Sequence, residues 1–217
     1  MVEHLLIGLP NDRPGGLVLT VLVFMVAAGG AVMLGLAYAA ACQALPRASL
    51  PLQAASAALR GIPVLLLVFF AAQLTALPVL AAGLLALLLY SLAHVGEILR
   101  SFLAAYPSEC AEQARAMGIG PLREWLHLRA PRTLGYALYA LATHWISLLK
   151  DTGALIVLGI GELTTVAKVL SESDPSFEGW ATVLGTAAGI YLATTLALIQ
   201  LLNLVRRRPF AAGVPTV

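Results

Sequence analysis

Charge is scarce in this 217-residue sequence: 11% of its residues are Asp, Glu, Lys or Arg, against about 25% in ordinary soluble domains. With 60% of residues hydrophobic and a mean hydropathy of +0.90, an ordinary soluble domain is excluded and a membrane protein is implied. Cysteine is nearly absent as well. Cys42 and Cys110 make neither a disulfide framework nor a metal-binding spacing, and they read as small apolar residues. No GxxxxGK[ST] phosphate loop occurs, so the chain is not expected to hydrolyse ATP itself. No GxSxG occurs either, which removes the exposed serine of a hydrolase. The N-terminus lacks a basic n-region, and the uncharged run after Arg13 continues to Arg47. That is far longer than the roughly 7 to 15 apolar residues of a signal peptide, so the run is expected to stay in the protein.

What is present is a series of long apolar runs. Residues 17–41 carry no charge and suffice to cross a hydrocarbon core of about 30 Å. Residues 42–59, with Pro46, Arg47, Pro51 and Gln53, read as a connection with at most an interfacial turn. Gly61 to Gly96 is again uncharged, and one helix of that length would extend about 54 Å. A break at Leu77-Pro78 is therefore expected, with spans near 62–77 and 79–99. A fourth span, 133–160, is interrupted by Lys150-Asp151. A polar segment over 161–178 follows, holding Glu162, Glu172, Asp174, Pro175 and Glu178. The fifth span, 180–205, starts at Trp180, offers Gly185-x-x-x-Gly189 for close packing, and is closed by Arg206, Arg207 and Arg208. The expected fold is an all-α integral membrane protein of five transmembrane helices in a single domain over 1–217. Ten of the basic residues flanking these spans fall on one side and two, Arg13 and Lys168, on the other. Basic residues favour the cytoplasm, so the C-terminus and the 106–132 segment are expected there and the N-terminus outside.

The long polar segment is Tyr106 to Arg132, YPSECAEQARAMGIGPLREWLHLRAPR. Pro107 suits a helix start, Gly118 a helix end, Gly120-Pro121 a second start and Pro131 a second stop. The outcome is a helix, a glycine turn and a helix. Cys110, Ala114 and Met117 share one face, as do Leu122, Trp125 and Leu126, so each helix is expected to bury one side. A solvated linker and a DNA-binding helix-turn-helix have the same local pattern, but flanking spans would hold a DNA reader away from a major groove. No nucleic-acid partner is expected.

Four stretches carry a resemblance. Glu112, Ala114 and Gly118, with Pro131 beyond, resemble the EAA loop of binding-protein-dependent ABC importer permeases. Arg60-Gly61-Ile62-Pro63, Glu97-Ile98-Leu99-Arg100 and Ile146-Ser147-Leu148-Leu149-Lys150-Asp151-Thr152 are similar to elements of the polar amino acid branch of that family. Gln113 and the pair Arg129-Ala130 depart from its usual pattern. The resemblance implies a type I ABC importer permease fold in a bacterial inner membrane. It also implies that the loop docks an ATPase through Glu112, Ala114, Arg115, Gly118 and Pro131. Implied partners are an ATPase dimer that carries the ATP and Mg, a second permease subunit identical or paralogous to this one, a periplasmic or lipid-anchored amino acid binding protein, and membrane lipid. No cofactor is expected on this chain.

Charged groups inside spans are rare and mark pathways or buried pairs. Lys150 and Asp151 fit either reading, and adjacent helical residues point about 100° apart, so they face different partners. An amino acid carries an ammonium and a carboxylate, which Asp151 and Lys150 could compensate in passing. Thr152, Glu97 and Arg60 complete the candidate pathway or gate set, although Glu97 and Arg60 also fit a cap or snorkelling charge. His94 and His144 raise bis-histidine haem ligation and an electron-transfer anchor as an alternative. A stand-alone ion-coupled transporter is the other.

Overall fold

The computed structural model describes residues 1–11, 13–174 and 176–207. Pro175 of the polar segment and Arg208 of the basic triplet lie outside the described residues.

A short helix, α1 (Val2–Ile7), precedes the first long one, α2 (Gly16–Ala44). Gly16 opens α2 with φ +54, and any Cβ there would collide with the Leu5 carbonyl. Its N–H donates to the Gly161 carbonyl at 2.7 Å, which ties the start of α2 to a segment far along the chain. The segment expected as a connection is instead a 16-residue helix, α3 (Pro46–Gly61). Pro46 occupies its first turn, where no N–H is needed, and the alanine-rich Ala54–Leu59 run outweighs the single hydrogen bond that Pro51 removes.

At Gly61-Ile62-Pro63 the chain bends by 105° into α4 (Val64–Leu74). Pro63 keeps Ile62 extended, at φ −89 and ψ 128. The expected span over 62–77 is thus an 11-residue helix, about 16 Å long and too short to cross a core of about 30 Å alone. The break at Pro78 is as expected, with Pro78 capping α5 (Val79–Ala104). After the polar loop comes α8 (Ala130–Asp151), which runs into a 3-10 segment, Thr152–Leu158, stopped by Gly159 at φ +67. The loop itself contributes α6 (Ser108–Ala116) and α7 (Pro121–Glu124). The chain ends in α9 (Leu163–Ser173) and α10 (Phe177–Arg207). Among the described residues four helices are long and apolar enough to cross a membrane, or five if the bent α3–α4 pair counts as one.

The centre is the α2–α5 pair. Their backbones approach so closely that a Cβ on Gly35 would lie 3.2 Å from the Gly96 nitrogen, and one on Gly96 would lie 2.9 Å from the Tyr38 ring. Small residues serve this purpose in lipid, where helix association rests on van der Waals packing. Around the pair, Phe24, Val68, Leu87, Leu148 and Leu155 fill one half of the core. Val95, Leu99, Leu103, Ala137 and Leu141 fill the other. A separate cluster of Leu5, Leu163, Val166, Ala167, Val183 and Ala187 joins α1, α9 and α10.

Candidate functional site

The polar loop has the helix–turn–helix form its punctuation implies. Pro107 is the N-cap of α6 rather than its first residue. Gly118 is left-handed at φ +74; its N–H donates to the Arg115 carbonyl at 2.9 Å, and Ile119 N–H donates to the Ala114 carbonyl at 2.9 Å. This is a Schellman closure, which needs a glycine for its backbone and not for space, since nothing lies within 4 Å of a Cβ built there.

Pro131 does not stop the second helix. From Pro121 the chain is helical without interruption to Asp151, through a π-helical turn over Trp125–Arg129. The turn accommodates the proline: Ala130 N–H reaches back five residues to the Trp125 carbonyl, and the widened coil gives the Pro131 ring room that a regular α-turn would deny it.

The expected buried faces are also only half right. Ala111 and Ala114 are buried, but Met117, Leu122 and Leu126 are 70%, 72% and 51% exposed. Glu112 and Arg115 are exposed beside them. The surface of the loop therefore presents large apolar side chains among charged and polar ones. On the inner side Glu124 is 7% exposed. Arg129 donates from Nε to Glu124 Oε1 at 3.3 Å and from Nη1 to Gln43 Oε1 at 3.4 Å. Its guanidinium sits 5.1 Å from the Tyr106 ring centre. Burial, with the nearby Cys110 adding to it, pushes the Tyr106 phenol above its ordinary range.

The candidate pathway residues do not form one group. Glu97 accepts from Arg100 Nε at 2.8 Å and from the Tyr38 hydroxyl at 3.1 Å, so its charge is compensated within α5 and against α2. Arg60 is exposed in the last turn of α3. Thr152 is fully buried and donates to the Leu149 carbonyl at 2.8 Å, a helix-end role. Lys150 and Asp151 make no ion pair with each other, and Lys150 points outward. Asp151 is half-buried and interacts with the Tyr90 hydroxyl.

The histidines lie beside Tyr90, with ring centres 4.6 Å (His94) and 6.0 Å (His144) from its ring. His94 and His144 stack with ring centres 5.0 Å apart. Ser91 Oγ is 3.0 Å from His144 Nε2, and His94 Nδ1 donates to the Tyr90 carbonyl at 3.0 Å. Rings stacked face to face leave no gap between them for a macrocycle, so the geometry does not favour a haem.

Two features escaped sequence reasoning. Arg132, Tyr136, Tyr139, Thr143, Ser147 and Lys150 recur every three or four residues along α8 and are all exposed. A spanning helix thus turns a polar stripe away from its own core. The signal was a 3.6-residue period in polar rather than apolar residues. The other is Glu162, fully buried with no cationic partner among the described residues. Its carboxylate accepts from the Thr164 and Thr165 N–H groups at 2.9 and 2.8 Å, from Thr165 Oγ1 at 3.1 Å, from Tyr191 at 3.2 Å and from Thr20 at 3.4 Å. Glu162 caps α9 in a position that Ser, Thr, Asp or Asn usually fill, so the sequence offers little sign of it.

Comparisons with known proteins agree with one another. Residues 31–208 match the family model described as binding-protein-dependent transport system inner membrane component. The arginine ABC transporter permease protein of Haemophilus influenzae is 31% identical over 158 residues, 67% of this chain and 70% of that protein. The glutamine transport system permease protein of Escherichia coli is 28% identical over 128 residues, 58% of this chain and 57% of that protein. The chain thus spans between 57% and 70% of the length of these two relatives. A crystal structure of an amino acid ABC transporter with histidines superposes with a TM-score of 0.73 at 27% identity, covering 89% of this chain and 92% of that one. An inward-facing methionine ABC transporter superposes at 0.70 with 18% identity over 87% of this chain and 93% of that one, a likeness of fold.

Proposed function

The chain belongs to the family of binding-protein-dependent transport system inner membrane components, and on that premise we propose that it is the transmembrane subunit of an ATP-driven importer of polar amino acids or close analogues. The observation that carries the docking half of this reading is the loop surface: Met117, Leu122 and Leu126 stand out in solvent at the end of a loop whose other face is packed. Large apolar side chains gathered on such a protrusion suit a protein partner. That partner is an ATPase dimer, which holds the ATP and Mg; this chain is a permease and not an enzyme. Closure of the ATPases around nucleotide pushes the loop, and α8, continuous with it, carries the push into the membrane as a rigid-body motion.

The stripe on α8 supports the pathway half. Lipid would select an apolar face there, so hydroxyls and an ammonium turned outward suit a water-filled path shared with a second permease subunit. Lys150 would meet a substrate carboxylate, with Asp151 behind it near Tyr90. A periplasmic or lipid-anchored binding protein delivers the substrate. The asymmetry of basic residues supports an orientation with the loop and the C-terminus in the cytoplasm and the N-terminus outside a bacterial inner membrane. The test is reconstitution in liposomes with a cognate ATPase and an amino acid binding protein. Uptake of a labelled amino acid mixture should require ATP and both partners. Uptake by this chain alone, driven by an ion gradient, would overturn the reading.

A further inference from the structure

The loop is joined through the backbone to α5 on one side and α8 on the other, but not to α2, the partner of α5 in the central pair. Arg129 supplies a connection. It reaches Glu124 of α7, Gln43 in the last turn of α2, and the Tyr106 ring just beyond α5. Gln43 in turn donates from Nε2 to the Leu103 carbonyl at 3.1 Å, so the ends of α2 and α5 are tied together at the same point.

The π turn makes this contact feasible. In an α-helix residues five apart point about 140° from each other, whereas in a π turn they lie nearly over one another. The turn over Trp125–Arg129 thus brings Arg129 to the side of Glu124, which would otherwise be a nearly buried carboxylate without a charged partner among the described residues. A planar guanidinium can hold a carboxylate, an amide oxygen and a ring face at once; a lysine ammonium cannot.

We propose that Arg129 is a positioning residue that transmits displacement of the docking loop to α2 and α5, so that the central pair moves together with α8. The proposal rests on the docking role given above. It assigns Arg129 to the ratio between hydrolysis and transport, not to either alone.

Three variants test it in liposomes containing the ATPase and binding protein, with a labelled mixture of protein amino acids as probe. Gln43→Leu breaks the reach to α2 and leaves the Glu124 ion pair. Arg129→Lys keeps the charge and loses the fork. Arg129→Leu combined with Glu124→Gln removes the pair without stranding a buried carboxylate. Assembly and ATP hydrolysis should stay within about twofold of the unsubstituted complex, while uptake per ATP falls about tenfold, the scale of a coupling free energy between sites. Unchanged uptake per ATP in the assembled variants overturns the proposal. So does loss of assembly in all three, because Arg129 would then only hold the fold. If the unsubstituted complex itself hydrolyses ATP without importing anything, the importer reading fails instead.

Discussion

The two polar stretches of this chain treat their side chains in opposite ways. In 106–132 the carboxylate of Glu112 is in solvent and large apolar groups stand outside with it. In 161–178 the carboxylate of Glu162 is fully buried under five hydrogen bonds, and Leu163, Val166 and Ala167 are packed beneath it against α1 and α10. Both segments are short amphipathic helices flanked by spans. One is closed on its own chain and the other leaves large apolar groups in solvent. Polarity in a membrane protein therefore does not by itself distinguish a structural knot from a docking surface; what distinguishes them is where the apolar face ends up.

The largest effect is expected at the closed segment. Glu162→Ala strands donors from three helices, each costing about 1 to 3 kcal/mol when buried and unpaired. Thermal unfolding of the purified chain in detergent should drop by at least about 3 kcal/mol, whereas Glu112→Ala should leave the unfolding curve in place. Equal destabilisation by both changes would erase the distinction between the regions.

At the open segment the effect moves from folding to assembly. Leu122→Asp should leave the isolated chain as stable as before, yet weaken capture of the ATPase by about 1 to 3 kcal/mol, the range of a truncated interface contact. A pull-down titrated with ATPase reads this directly, and an unchanged binding curve would mean the exposed face is not the docking surface.

Gly118→Val probes the turn between α6 and α7. The side chain has room but the backbone is left-handed, so a β-branched residue should cost on the order of 1 to 3 kcal/mol locally. Membrane insertion should survive and uptake fall further than insertion does; wild-type uptake from an assembled variant would remove the turn from the coupling step.

The smallest stability effect is expected within the membrane. Lys150 is exposed and without an ion pair among the described residues, so Lys150→Met should change unfolding by no more than about 0.5 kcal/mol, as for other unpaired exposed sites. Uptake should nevertheless fall or shift its preference among cationic, neutral and anionic amino acids. Preserved selectivity would make the α8 stripe a packing surface.

Much of the architecture was legible because its causes are local. The first span, the break before α5 and the left-handed Gly118 follow from absent charge, proline and glycine. Pro131 was misread as a stop, and the stretch around Pro51 as a connection, for the same reason in reverse. Each lies in a helix that continues, because neighbouring residues offset one missing hydrogen bond through a π turn or a strong helical propensity. The sequence pattern located amphipathic helices in the loop but not the direction of their faces, since Met117 and Leu122 satisfy a burial period equally well whether the partner is this chain or another.

The sequence by itself determined that the chain lives in a membrane, where its apolar runs fall, and, through its motifs, the family to which it belongs. These depend on composition, period and punctuation, which act over a few residues. Only the tertiary structure decided that Tyr38 of α2 reaches Glu97, that Glu162 is enclosed by Thr20 and Tyr191, and that Lys150 faces outward while Thr152 does not. It also brought Arg129 to Gln43, 86 residues away in sequence. Charge compensation and exposure depend on which surfaces meet, and which surfaces meet is a property of helix packing that no local spacing encodes.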